Sequence, residues 1–375
     1  MIEKRIIPLF KMSANENDAK AVSEVVKRGS FWAEGQEIDQ FERMLCKYFQ
    51  IHGALVCNSG TSALHMAVIA TGIKHFHEVI VPSFTHISTV NCVRFVGAQP
   101  VFADIEGQTF GLDPVDVESK ITPKTKAIIV VHYAGCPCRI QELKNIARKY
   151  KLALIEDVAE AMGAKYEGKA VGRFGDCAIL SFCQNKIIST GEGGTLITDD
   201  KYIYDKARLL RSHGREDANY FNSSKMTDYV ELGYNWRMPT MNAALGISQL
   251  SRIEDLITAR QEKARLYNSL LANLPDVIVP VILEGYSHVY QLFTIRVLNG
   301  KRDKVLAYLT ECGVGCKVYF PSVHLTAFYR RDKWQAVSLP VTERISQEVL
   351  SLPMYPDLAD ADIEYICGKV KEALC

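Results

Sequence analysis

One lysine, Lys186, lies in a polar stretch between two apolar runs, Cys177-Ala-Ile-Leu-Ser-Phe182 and Gly194-Thr-Leu-Ile-Thr198. Both runs read as buried strands, so the lysine sits on a turn between strands and not on a solvated helix face. An ammonium held against a strand end, partly out of water, loses proton affinity and becomes a usable nucleophile. A Schiff base with an aldehyde cofactor requires such an amine. A loop lysine is otherwise a surface charge, so the reading depends on what the rest of the chain brings to it.

Three other stretches carry matching chemistry. After the apolar run Leu152–Ile155 come Glu156, Asp157 and Glu160. Ile155, Val158, Ala159 and Ala161 surround Asp157 with apolar neighbours, which favours a buried carboxylate over a solvated one. After Ala54–Cys57 comes Asn58-Ser-Gly60-Thr61-Ser62 at the start of a helical pattern. Small residues there leave N–H groups and hydroxyls free for a phosphate at the positive helix end; a plain helix cap is the alternative. After Glu78–Pro82 comes Ser83-Phe-Thr-His86, which offers a flat ring.

These stretches follow apolar strands at 54–57, 78–82, 100–103, 127–131 and 152–155, interleaved with helices at 61–70, 87–96 and 139–150. The alternation predicts an α/β fold with a mainly parallel sheet covered on both faces. Ligands in such sheets bind beyond the carboxyl ends of the strands, where the candidate residues fall. Helical periodicity also marks 14–28 and 36–49, joined by the Gly-bounded loop Arg28–Gly35 with Phe31 and Trp32. A helix at 201–212 is followed by a polar loop at 216–227 and a long helical pattern from Pro239 to Leu271. We place the domain boundary inside that pattern: 1–250 as the large domain, 251–375 as a smaller α+β domain. The latter carries a strand at 290–297, a helix at 302–312 and a closing helix after Asp362.

Composition narrows the function classes. The chain has 375 residues, 48% hydrophobic and 23% charged, with net charge +1. That length suggests two domains at about 150 residues each, and the charge supplies no field for nucleic acid or an anionic membrane. The eleven cysteines show no zinc-type spacing, and Cys136-Pro-Cys138 is too close for one. Free thiols in a reducing compartment and no metal are expected. No run of eighteen apolar residues marks a membrane span, and the first residues lack a signal-peptide core. A cytoplasmic location is the expectation.

Together the strand ends meet the needs of pyridoxal 5′-phosphate (PLP): donors for the phosphate, a flat partner for the ring, a carboxylate for the ring nitrogen and a lysine for the aldehyde. At this point the chain resembles the sugar-nucleotide aminotransferases of the DegT–StrS group, fold type I PLP enzymes. The resemblance runs from the loop 29–35 through Asn58–Ala63, Val81–Thr85, Gly97–Asp104, Glu156-Asp157, Ser181-Phe182, Lys186, Thr190–Gly194 and Gly233–Met238 to Pro321–His324. It implies Lys186 as the Schiff-base lysine and acid/base, and Asp157 as partner of the ring nitrogen. Gly60, Thr61, Ser62 and Ser181 would surround the phosphate. Asn235 would reach the phosphate of a neighbouring subunit, in a homodimer with shared active sites. His324 and the loop 29–35 would face a sugar nucleotide, with L-glutamate as amino donor.

Three positions depart from the usual family pattern. His86 stands where members usually carry Phe, Tyr or Trp against the cofactor. Glu160 replaces the Gln or His of many members and matches perosamine-synthase-like ones. Lys317 replaces an Arg, keeping the charge without the bidentate fork. The first two favour amination at position 4 of a 4-keto-6-deoxyhexose, while action at position 3 or on a cyclitol ketone stays open. His213, Arg215, Arg237 and Lys317 are candidates for the nucleotide's diphosphate, each with a surface-charge alternative. The related dehydratases carry histidine in place of the lysine, which Lys186 argues against. A PLP-binding regulator lacks support from any DNA-binding appendage or basic stripe. An NAD-linked oxidoreductase lacks the GxGxxG turn after the first strand.

Overall fold

The computed structural model describes residues 5–216, 224, 226–331 and 337–375. Seven strands form the large sheet: Gly53–Cys57 (β1), Glu78–Pro82 (β2), Gln99–Ala103 (β3), Thr125–Val131 (β4), Ala153–Asp157 (β5), Cys177–Ser181 (β6) and Gly194–Thr198 (β7). Their spatial order is β1-β7-β6-β5-β4-β2-β3. The five strands from β6 to β3 pair in parallel, and β7 runs antiparallel to both β6 and β1. The chain is thus α/β with a large, mostly parallel sheet. Apolar runs without polar alternation form these strands because helices cover both faces.

Strand alternation divides the core in two. Leu55, Val79, Val81, Ile129, Ile155 and Ile179 meet Leu64 and Val68 of the helix Gly60–Ala70, with Val90 and Val93 of Ile87–Phe95. On the other face, Val56 and Leu180 meet Phe41 and Leu45 of Gln36–Phe49. Ile80, Ile128 and Leu154 meet Leu143 and Ile146 of Ile140–Tyr150. Alternation also separates Glu156 from Asp157, and the site is built on that separation.

A second sheet holds Val277–Ile278 (β8), Phe293–Val297 (β9) and Val349–Leu352 (β10), antiparallel in the order β8-β9-β10. The long helical pattern is two helices, Thr240–Leu250 and Ile253–Leu271. The second one bridges the cores: Ile253, Leu256 and Ile257 pack with the large sheet, while Ala264, Tyr267 and Leu271 pack with the small one. The chain start also joins the small core, where Ile7 pairs with Val314. The helix Glu16–Arg28 is tied to this region by Asp18, which accepts from Gln249 at 2.7 Å and pairs with Arg252 at 2.6 Å.

Several boundaries differ from the sequence reading. The strand expected from Tyr290 begins at Phe293, and the closing helix begins at Asp360. Short helices at Pro114–Ser119 and Pro340–Glu348 and the strand β10 were not expected. Most of the polar loop at 216–227 lies outside the described residues. Among the described residues no helix is long and apolar enough to cross a membrane.

Candidate active site

The lysine loop connects the antiparallel neighbours β6 and β7. Its two ends are zipped where Phe182 N–H donates to Gly193 O at 2.8 Å and Thr190 N–H to Phe182 O at 2.9 Å. Ile187 and Ile188 are buried, and Asn242 clamps the far side by donating to the carbonyls of Thr190 and Glu192, both at 2.9 Å. A loop held by packing and backbone bonds fixes the stem of Lys186, which projects into a cavity of about 460 Å³ beyond the carboxyl ends of the strands. The same cavity is lined by Gly60, Thr61, His86, Thr89, Asp157, Glu160, Ser181, Lys317 and Tyr319. Those from the large sheet meet there because they follow strands that run the same way, while Lys317 and Tyr319 come from a segment that bridges antiparallel to Ser351 of β10.

Asp157 ends β5 and points into the cavity. Its Oδ2 accepts from the Thr89 hydroxyl at 2.8 Å and its Oδ1 from Ala159 N–H at 3.1 Å. Burial raises its pKa above the ordinary carboxylate value, against the lowering effect of Thr89, Ala159 and the Lys186 charge. Thr89 spends its proton on the carboxylate, so the 2.9 Å contact between Thr85 Oγ1 and Thr89 Oγ1 has Thr85 as donor. The result is a directed chain from Thr85 through Thr89 to Asp157.

Glu156 points the other way, into the protein. It accepts from Phe174 N–H at 2.6 Å, Gly175 N–H at 2.7 Å and Gly172 N–H at 2.8 Å, and lies 3.1 Å from His132 Nε2. Cys138 N–H donates to His132 Nδ1 at 3.1 Å, which leaves the ring proton on Nε2, facing the carboxylate. Burial acts to raise the Glu156 pKa, but His132 and the N–H groups outweigh it and hold the carboxyl below its ordinary range. The adjacent pair of carboxylates therefore has one member in the cavity and one holding a loop.

The phosphate-type end is the start of the helix Gly60–Ala70. Ser59 Oγ accepts from Ser62 N–H at 3.1 Å, and Ser62 Oγ donates to Asn58 Oδ1 at 2.7 Å. The helix-cap reading thus holds for Ser59, while the N–H groups of Gly60 and Thr61 precede the first helical hydrogen bonds and face outward to an anion. Thr61 Oγ1 lies 2.9 Å from Ser88 Oγ on the next helix. A Cβ at Gly60 would stand 3.0 Å from Ser181 Cβ and 3.2 Å from its Oγ, so the absent side chain keeps this cradle open. Ser62, expected among the phosphate donors, spends its N–H and hydroxyl protons within the turn and does not line the cavity. A dianion at Gly60 and Thr61, an aldehyde at Lys186 and a basic ring nitrogen at Asp157 match the donor set, and PLP fits these residues.

Glu160 stands beside the lysine, with Oε1 3.6 Å from Lys186 Nζ. Its other oxygen accepts from Ala134 N–H at 2.9 Å; Ala134 has φ +56°. His86 is exposed at the cavity rim and caps the helix Ile87–Phe95, its Nδ1 accepting from Ser88 N–H at 3.3 Å. Surrounding protein pushes its pKa below the ordinary imidazole value, and the Lys186 charge adds to this. Lys317 is exposed, with Nζ 5.0 Å from the centroid of the Tyr319 ring.

Four residues expected to meet the substrate do not line this chain's cavity. His324 does not face the cavity: it is buried, shares a 2.6 Å hydrogen bond with Ser83 and lies 3.4 Å from Glu343. Arg237 lies outside the cavity, donating to Ser212 Oγ at 3.1 Å, with Glu34 3.9 Å away. Arg215 is buried and 3.2 Å from the same Glu34; His213, exposed next to it, does not line the cavity either. Asn235, expected to serve a second copy, is not among these: it is exposed outside this chain's own cavity, on a segment that flanks the phosphate-type turn, where Asn58 N–H donates to Trp236 O at 2.9 Å. Glu34 pairs with Arg215 and lies near Arg237, and none of the three lines the Lys186 cavity.

Sequence reasoning missed Thr85, Thr89, Ser88, Tyr319 and Gln291. Gln291 is buried and donates to the carbonyl of Asn185, next to the lysine. Thr85 lies just before His86 and Thr89 on the helix that follows it, and a hydroxyl one helical turn after a strand end was the available signal.

The match to the DegT/DnrJ/EryC1/StrS aminotransferase family covers residues 12–371. The chain is 37% identical over 345 residues to a GDP-perosamine synthase of Caulobacter vibrioides, covering 91% of each chain. It is 34% identical over 369 residues to a GDP-perosamine synthase of Vibrio cholerae, covering 98% of each. The solved structure of DesV from S. venezuelae, in complex with a ketimine intermediate, superposes with a TM-score of 0.91 at 31% identity and 98% coverage of both chains. Sequence match and fold extend over the same residues that build the cavity, and the chain belongs to the DegT/DnrJ/EryC1/StrS family of PLP-dependent sugar aminotransferases.

Proposed function

We propose that this enzyme moves the amino group of L-glutamate onto carbon 4 of a nucleotide-linked 4-keto-6-deoxyhexose, with GDP as the nucleotide. The observation that carries the reading is Glu160 held 3.6 Å from Lys186, a carboxylate where perosamine-synthase-like relatives have one. The GDP-perosamine synthases at 34% and 37% identity supply the nucleotide.

When bound, PLP supplies an aldehyde that joins to an amine and a ring that takes up the electrons of a deprotonated carbon. The chain does the rest. Gly60, Thr61 and Ser181 hold the phosphate. Asp157, kept in place by Thr89 and Ala159, holds the ring nitrogen in its protonated form. Lys186 takes the proton from the donor's α-carbon and returns one to the acceptor carbon, and Glu160 keeps that amine aimed. Lys317, exposed at the mouth, meets the nucleotide's negative charge. Asn235, exposed beside the phosphate-type turn, serves the cavity of a second copy in a homodimer. We assign residues 1–250 to the cofactor domain and 251–375 to the smaller one, and place the enzyme in the cytoplasm.

The test is a panel of dTDP-, UDP- and GDP-4-keto-6-deoxy sugars with glutamate, read by product mass. Amination of the GDP sugar with release of 2-oxoglutarate is expected. Amination confined to a dTDP or UDP sugar, or to a cyclitol ketone, would replace this reading.

A further inference from the structure

At the opposite end of β5 from Asp157, a pocket of about 260 Å³ is lined by Lys144, Arg148, Lys151, Arg173 and Asp176. Lys144 and Arg148 lie one turn apart on the helix Ile140–Tyr150, where like charges repel. Lys151 follows the same helix in a left-handed conformation, φ +56°. Arg173 comes from the loop that Glu156 holds. A fifth cation, Lys169, shares the Phe174 ring with Lys144, at 4.7 and 5.6 Å from the centroid.

Charges elsewhere on this helix are paired: Arg139 with Glu142 at 3.8 Å and Lys149 with Glu118 at 2.7 Å. The four cations that line the pocket, and Lys169 beside it, have no acidic partner of that kind among the described residues. The one carboxylate that lines it, Asp176, has its Oδ2 occupied by Leu154 N–H at 2.7 Å. Among the described residues Arg173 makes one side-chain hydrogen bond, to Gln50 at 3.4 Å, and its Nε is buried without a partner. Lys144 and Lys169 have pKa values below the ordinary lysine value, through burial first and then the neighbouring cations. Attraction to the negative helix end accounts for Arg148 and Lys151. It does not account for Lys169 and Arg173, which come from other segments, nor for a buried guanidinium N–H left unpaired at a cost.

We propose that this pocket is a second anion site, separate from the cofactor cavity, that takes a phosphate or diphosphate group. Two guanidiniums supply planar forks for phosphate oxygens and the lysines supply point charges. The wall formed by Arg173, Phe174 and Gly175 is pinned by Glu156, so an anion bound there stabilises the folded chain.

The experiment uses enzyme saturated with PLP, so that the phosphate cradle at Gly60 and Thr61 is filled. Sodium pyrophosphate and, separately, sodium phosphate are titrated by calorimetry at constant ionic strength made up with sodium chloride, and melting is followed in parallel. Saturable binding with a raised melting temperature, absent with chloride alone, is expected for either anion. The double variant Lys144→Gln/Arg148→Gln, which relieves repulsion and so keeps its fold, is expected to bind about tenfold or more weakly. Lys304→Gln, exposed in the smaller domain, is expected to bind as the parent does. Absence of saturable binding, or equal affinity in the double variant, overturns the proposal; neither result bears on the aminotransferase reading.

Discussion

The hydroxyl of Thr89 donates to Asp157 Oδ2 at 2.8 Å inside the protein, and the carboxylate at the end of β5 depends on it. Burial pushes Asp157 toward its protonated form, in which it no longer pairs with a ring nitrogen. Thr89→Val keeps the volume and removes the donor. A hydrogen bond to a charged group contributes about 1.5–3 kcal/mol, so PLP affinity should fall roughly tenfold or more. The loss should grow as pH falls, because the Asp157 pKa rises further. Thr89→Ser should restore binding. Absorbance titration with PLP across pH checks this; equal affinity in Thr89→Val would remove the role.

Lys186 and Glu160 separate by function. Lys186→Ala should abolish transamination and also the mass tag left on the lysine peptide after borohydride reduction of the PLP-loaded enzyme. Glu160→Gln still accepts Ala134 N–H but removes the charge beside the amine. Turnover should drop by about a hundredfold, the lower range for general acid–base groups, while the mass tag remains. A Glu160→Gln enzyme with parental turnover would make Glu160 a bystander.

Glu156 should matter to folding and not to cofactor stoichiometry. Glu156→Gln turns an amide toward N–H groups at 2.6–2.8 Å that need an acceptor. Breaking a buried, charge-assisted network costs about 3–5 kcal/mol. Urea unfolding should show that loss, while the protein that stays folded binds one PLP per chain.

Two histidines set an acid limit on stability. Burial pushes His288 down to about 3 and His65 to about 4. Both are neutral in the folded protein below pH 6.5, where the unfolded chain takes up their protons. Stability is therefore retained above pH 6.5 and lost as pH falls toward those values, by about 1.4 kcal/mol per pH unit for each histidine. His288→Asn keeps an acceptor for Tyr290 N–H, now 2.9 Å from Nδ1, and should flatten the dependence. Denaturant unfolding at pH 7.5, 6.5 and 5.5 reads the slopes; parallel slopes for parent and variant would exclude His288.

The strand and helix alternation, the family resemblance and the residues at the strand ends were legible along the chain. Lys186, Asp157, Glu160, His86, Ser181, Gly60 and Thr61 all line one cavity, and each sits at or after the end of an apolar run whose burial dictates a strand. The threonine chain was not legible, because it rests on a helix from another strand's crossover meeting the end of β5. His324 and Arg237 were misplaced for a related reason. Their types suited a charged substrate, but their partners, Ser83 with Glu343 and Ser212 with Glu34, are remote in sequence.

The amino-acid sequence by itself determined which segments bury themselves as strands, and so which side chains stand at the carboxyl edge of a parallel sheet. Local hydrophobic pattern is enough for that. Only the tertiary structure decided which of two adjacent carboxylates enters the cavity, which hydroxyl supports it and which cations are left without partners. Those outcomes depend on contacts between elements far apart in the chain, where a hydrogen bond or an ion pair exists only once packing has brought both members within reach.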